Sequence, residues 1–231
     1  MHSAVMQIKA VTFDVGGTLI QPWPSVGHIY AEVAARRGLK MFSAEQLNAR
    51  FEAAWQARKT FEHSRHAWSE LVDEVFSHPA IRLPSETFFQ ELYDVFAQPA
   101  AWRVFPDVTP ALDALVSQGI RLGIISNWDE RLRGLLRRLG LDRYFETWII
   151  SHEVGFNKPS RMIFRQAAAE FDLQPEAILH VGDSLETDIA GAREAGFHAL
   201  QILRTGNQPV DGALHSLAEL PARIGQLSRE N

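Results

Sequence analysis

The sequence predicts an α/β fold: a doubly wound parallel sheet with a bundle of helices inserted after its first strand. Three observations carry this. In the second half of the chain, short apolar runs of strand length alternate with single amphipathic helices, and strands joined that way need right-handed crossovers and a parallel sheet covered on both faces. A further apolar run, Ile8 to Phe13 with Lys9 interrupting, supplies another strand near the N-terminus. Between that run and the alternating half, the apolar spacing is helical almost throughout.

The first run ends in Asp14-Val15-Gly16-Gly17-Thr18, where the paired glycines let the backbone turn sharply as the strand stops. Pro22-Trp23-Pro24 is a stiff connector that cannot continue a helix. Four apolar stripes follow. They are Ile29, Val33 and Ala34; Leu47, Phe51, Ala54 and Trp55; Trp68, Leu71, Val72, Val75 and Phe76; and Phe88, Phe89, Leu92, Val95 and Phe96. Breaks fall at Gly38, near Ser64, and at His78-Pro79 through Pro84. Helices without an intervening strand read as a helical-bundle cap domain over 22–99.

After Pro99 the rhythm changes. Helices are expected over 106–116, 130–139, 161–171, 187–195 and 217–227, and strands over 121–126, 147–151, 177–183 and 198–203. The core is therefore Rossmann-like and discontinuous, 1–21 plus 100–231.

A chain of 231 residues can bury one core plus a modest appendage. Its net charge of −5 and pI near 6.0 carry no nucleic-acid footprint. With no cysteine, disulfides, thiolate nucleophiles and Cys-based metal sites are excluded. No apolar segment has the length of a signal peptide or a bilayer span, so the expectation is a cytoplasmic protein with no membrane partner.

Parallel order brings all strand C-termini to one edge, where open α/β sheets bind ligands. The residues just past the strands are Asp14 and Thr18, then Ser126 and Asn127, then Lys158-Pro159, then Gly182-Asp183-Ser184 with Asp188. Lys158 is one of only four lysines. The set suits attack on phosphorus. A carboxylate can form an aspartyl-phosphate, while hydroxyls and an ammonium hold the phosphoryl oxygens. Asp14 and Asp183 offer the hard oxygen pair that Mg²⁺ prefers.

In chain order, Asp14…Thr18, Ser126, Lys158-Pro159 and Gly182-Asp183-Ser184-x₃-Asp188 resemble the four motifs of the haloacid dehalogenase superfamily, and the helical insert resembles its type-1 cap. The segment GDSLETDIAGAREAG, 182–196, is the most specific of these signals. The resemblance implies a Mg²⁺-dependent hydrolase of a small phosphorylated metabolite whose cap closes over the site and chooses the substrate. It implies Asp14 as nucleophile and metal ligand, with Gly16 lending its backbone carbonyl to the metal. Thr18, Gly17, Ser126 and Asn127 would contact the phosphoryl group, and Lys158 would balance its charge. Asp183 would ligate the metal directly, and Asp188 through a water or through Lys158.

One position departs from the pattern. Phosphatases of the superfamily carry a second aspartate two residues after the nucleophile as general acid and base, and here that position is Gly16. Loss of such a group costs about 10²–10⁴-fold, so activated leaving groups are expected to fare better, and Gly16→Asp to raise the rate on unactivated ones. Three other readings stay open. One is a ligand-binding protein with little catalysis. Another is a phosphonatase using a cap lysine, Lys59 or Lys40, as Schiff base. The third is a 2-haloacid dehalogenase, against which the acidic pair Asp183 and Asp188 argues.

Elsewhere the bland readings lead. His63 and His66 beside Glu62 read as a solvated turn, and His180 as a hydrogen-bonded core residue. His152 is the best replacement proton carrier, although a structural role is favoured. Phe51, Trp55 and Trp68 are expected to fill the cap core. Trp128 either faces the cap or packs. The arginines 131, 133, 137 and 138 read as a solvated helix.

Overall fold

The computed structural model describes residues 7–58, 60–204 and 212–227. Five strands form one parallel sheet: β1 Ala10–Phe13, β4 Arg121–Ser126, β5 Thr147–Ile150, β6 Ile178–Gly182 and β7 His198–Gln201, in the order β5-β4-β1-β6-β7. Counted among themselves along the chain, these strands run 3-2-1-4-5. The order reverses beside β1, and the carboxyl ends on its two sides bound a crevice. Because helices cover both faces, β1 and β6 are buried at every position and β4 at all but Arg121. Such strands read as continuous apolar runs rather than alternating ones.

Two short strands, β2 Ile20–Pro22 and β3 Trp102–Val104, pair as a separate ribbon. Three residues each, one containing proline, are too few to leave a sequence pattern. Between them lie α1 Val26–Arg36, α2 Ala44–Gln56, α3 Arg65–Val75, α4 Pro84–Thr87 and α5 Phe89–Val95. Hydroxyl caps start three of these helices: Ser25 accepts from His28 N–H, Ser64 accepts from Ala67 N–H, and Ser43 and Gln46 form a capping box. The helices after β3 are α6 Val108–Ser117, α7 Arg131–Arg138, α8 Ser151–Val154, α9 Arg161–Phe171, α10 Gly191–Glu194 and α11 Leu220–Leu227.

The described chain divides into two compact units. One comprises the residues up to Ile20, Val104–Glu130 and those from Gly140 on; the other comprises Gln21–Arg103 with Arg131–Leu139. Helix α7, expected with the sheet, thus groups with the inserted helices. The reason is local: Arg131 donates to Tyr93 O at 2.9 Å and lies 3.6 Å from the Tyr93 ring centroid, and Arg138 donates to Ala97 O.

In the sheet-bearing unit, α9 turns Ile163, Phe164, Ala167, Ala168 and Phe171 inward. The helical unit packs Tyr30, Val33, Leu47, Leu71, Phe76, Phe88 and Leu92 together, with Phe76 edge-on to Phe42 and Phe88. Trp55 is not part of that core. It is 39% exposed and stacks between Phe51 and Trp68, which do pack against the core as expected, so of the three only Trp55 departs from the expected filling. No helix among the described residues is long and apolar enough to cross a membrane.

Candidate active site

The site is built at the carboxyl ends of β1, β4 and β6. Asp14 leaves β1 with its N–H still bonded to Val181 O at 2.9 Å, which extends the ladder one residue past the strand. The chain then closes a tight turn, Leu19 N–H to Val15 O at 2.8 Å, with Gly17 at φ +76°. Gly17 is needed for a second reason: a Cβ there would collide with the carboxyl of Asp183. Gly182 does the same for Asp188, whose carboxyl lies against its Cα. Glycines in the first and fourth motifs therefore make the room in which the acidic side chains sit.

Lys158 ties the cluster together. Its ammonium is 2.7 Å from Asp14 Oδ1 and 2.5 Å from Asp188 Oδ1, and all three side chains are buried or nearly so. Ser126 Oγ donates to the same Asp14 oxygen at 3.1 Å. Asp188 Oδ2 accepts from Ser184 N–H at 3.0 Å, and His180 Nε2 lies 3.3 Å from Oδ1. The Asp188 approach shapes the chain itself. The helix expected over 187–195 begins instead as a π-helical turn, Leu185–Ala190, in which Ile189 N–H reaches Ser184 O.

Burial would raise the Asp188 carboxyl, but the Lys158 ammonium and His180 outweigh it and hold it well below the usual range. Burial pushes Asp14 up despite Lys158. Lys158 is held above its ordinary value, because two carboxylates outweigh the burial that would lower it. Asp183 is exposed as a residue, yet its carboxyl end packs on Gly17. Lost hydration there, then the charges of Asp14 and Asp188, push it up to about 7.

Asp14, Asp183 and Asp188 offer carboxylate oxygens within 4.8 Å of one another. That crowded, hard-oxygen set fits a divalent cation with oxygen preference. Because Asp188 already serves Lys158, His180 and Ser184, Asp14 and Asp183 are the pair with oxygens left to offer.

Other sequence candidates fall in different places. Asn127 clamps the Lys158 backbone: its Nδ2 donates to Lys158 O at 3.0 Å and its Oδ1 accepts from Lys158 N–H at 2.7 Å. Thr18 is fully buried, its Oγ1 has no hydrogen-bond partner, and its carbonyl accepts from Arg204. His180 is a buried core residue whose Nδ1 meets Thr12 Oγ1 at 2.9 Å, and burial lowers its pKa. His152 is exposed, and its ring is 4.0 Å from Glu130. His63 sits among the rings of Trp55, Phe61 and Trp68, while His66 pairs with Glu70, so they sketch no metal site. Lys40 is exposed, and Lys59 lies outside the described residues.

Two supporting elements escape the sequence reading. Thr12 faces His180 because the β1–β6 register pairs them, which becomes visible only once those strands are known to be neighbours. Arg204 holds Thr18 O and pairs with Asp107 at 2.7 Å, and Asp107 also accepts from Ser216 Oγ and Leu217 N–H. Those partners are too far apart in sequence to signal one another.

A model of haloacid dehalogenase-like hydrolases matches residues 8–196, and the chain belongs to that family. Among curated relatives it is 30% identical over 220 residues to haloacid dehalogenase-like hydrolase domain-containing protein 3 of Bos taurus, covering 90% of this chain and 86% of that protein. It is also 30% identical over 218 residues to the glyceraldehyde 3-phosphate phosphatase of Methanopyrus kandleri, covering 88% of each. Among solved structures it is similar to a HAD phosphatase from Thermococcus onnurineus, with TM-score 0.68 and 26% identity over 94% of this chain and 98% of that one.

Proposed function

We propose that this hydrolase is a Mg²⁺-dependent phosphatase that removes the phosphoryl group of a small metabolite through an aspartyl-phosphate on Asp14. One observation carries the reading: both side-chain donors that reach Asp14, Ser126 Oγ and Lys158 Nζ, fall on Oδ1. They fix the carboxylate through Oδ1 and leave Oδ2 clear of side-chain donors for the attack. Oδ2 bonds to phosphorus while the bond to the leaving oxygen breaks, and that oxygen takes the electron pair. Water then attacks phosphorus, the Asp14 oxygen departs, and phosphate is released. Ser126, Lys158 and the unpaired hydroxyl of Thr18 bind the phosphoryl oxygens, alongside Gly17. Asn127 acts by holding Lys158 in place. Mg²⁺, when bound by Asp14, Asp183 and the Gly16 carbonyl, neutralises charge that develops on the phosphoryl group. Asp188 orients Lys158. The name of the phosphatase relative supports the same class of reaction.

No proton-moving side chain stands at Gly16, so substrates with stabilised leaving groups are preferred. In an assay of 4-nitrophenyl phosphate with magnesium, Asp14→Asn is expected to lower turnover by roughly 10³-fold or more. Unchanged turnover in that variant would remove the covalent route.

A further inference from the structure

Trp128 follows Ser126-Asn127 at the end of β4, and its backbone is fixed at both polar atoms. Its N–H donates to Ser151 Oγ at 3.1 Å, and its carbonyl accepts from the Ser151 hydroxyl and the His152 N–H, each at 3.2 Å. The half-buried indole lies against the turn that follows the nucleophile. A Cβ on Gly16 would fall 3.2 Å from Trp128 Cζ3 and 3.9 Å from Cη2. The benzo edge of the ring, remote from its N–H, thus crowds the position that a side chain at residue 16 would take.

This makes the surroundings of Asp14 lopsided. On one side stand Ser126, Lys158, Asp188 and Asp183, all polar. At the turn two residues past Asp14 stand a glycine and the edge of an aromatic ring. The Lys158 ammonium already holds two carboxylates, and the His152 ring turns to Glu130. A departing oxygen on the Trp128 side meets the edge of that ring, and Gly16 offers it no acid. Such a wall suits a leaving group that is itself flat and apolar and that leaves as a delocalised anion.

We propose that Trp128 is a specificity-determining residue of this site, its ring contacting the leaving group and favouring aryl phosphates over esters of equal reactivity that lack a ring. The proposal rests on the phosphatase reading above. In the step it concerns, the P–O bond breaks with the electron pair on the aryl oxygen while Asp14 bonds to phosphorus. The phenolate takes its proton from solvent after release.

The test compares kcat/KM for 4-nitrophenyl phosphate and acetyl phosphate, both of which leave unprotonated, in the wild type, Trp128→Leu and Trp128→Ala. Loss of a ring-on-ring contact is worth about three- to tenfold, so the aryl-to-acetyl ratio should fall by that factor in Trp128→Leu, which keeps bulk without a π face. Equal losses on both substrates would overturn the proposal. A second arm needs no turnover: calorimetry should show phenylphosphonate binding more tightly than methylphosphonate to the wild type, and Trp128→Leu should lose that preference. A preference kept in Trp128→Leu also overturns the proposal. A Trp128-dependent preference with no hydrolysis of either compound would remove the phosphatase reading and leave the aryl subsite standing.

Discussion

The two compact units treat charge in opposite ways. In the sheet-bearing unit Asp14, Asp129, Lys158, His180 and Asp188 are buried, and four of these five form one hydrogen-bonded chain at the strand ends. Among the described residues of the helical unit, His63 is the one buried side chain of the Asp, Glu, Lys, Arg and His types. There the ion pairs lie outside: Arg36 with Glu32 and Glu91, Arg37 with Glu91, and Arg58 with Glu74. Burying a charge without a partner is costly, and a buried pair does little for stability compared with apolar packing. A fold that keeps such a cluster at one sheet edge does so for its chemistry, whereas the helical unit is held by rings and aliphatic side chains.

Three measurements would break or sharpen this contrast. The largest effect is expected for Lys158→Met, which leaves Asp14 and Asp188 buried without their shared cation. Denaturant unfolding should show a loss of about 3–5 kcal/mol, together with loss of turnover. A loss below 1 kcal/mol would mean the cluster is better solvated than its burial implies.

The second effect concerns pH. Asp183 is pushed up to about 7 from an ordinary value of 3.8, so the folded chain keeps a proton that the unfolded chain releases. Its contribution to stability is therefore present below about pH 4 and is lost as pH rises through about 7. A cation that binds the ionised carboxylates offsets that loss, so magnesium should raise the melting temperature more at about pH 8 than at about pH 5. The reverse order would contradict the metal assignment.

The smallest effect belongs to the helical unit. Glu91→Ala removes the partner of Arg36 and Arg37, all three partly exposed, and should cost only about 0.2–1 kcal/mol. Adding salt should shrink the difference further.

The fold was legible because buried parallel strands leave nearly continuous apolar runs, such as the LGII of β4 and the ILHVG of β6, broken only by His180. The convergence of Asp14, Ser126, Lys158, Asp183 and Asp188 follows from the same rule, since parallel strands must end together. What was hidden depends on contacts across the sequence. The π-helical turn exists because Asp188 reaches back to Ser184 and across to Lys158. The grouping of α7 with the inserted helices depends on Arg131 covering Tyr93. Gly16 read as a bare turn residue beside a missing acid. The structure sets the edge of the Trp128 ring beside that gap, so in Gly16→Asp the indole must give by a few tenths of an ångström before the new carboxyl can act.

The Asn127 clamp has a consequence for motion. Lys158 lies in a stretch without helix or strand, and such backbone protons ordinarily trade with solvent quickly. Here the Lys158 N–H is locked to a side chain rooted in β4. It is released only when that end of the sheet opens, so this loop proton should exchange on the timescale of the sheet itself. The lysine that meets the nucleophile is in that sense timed by the sheet.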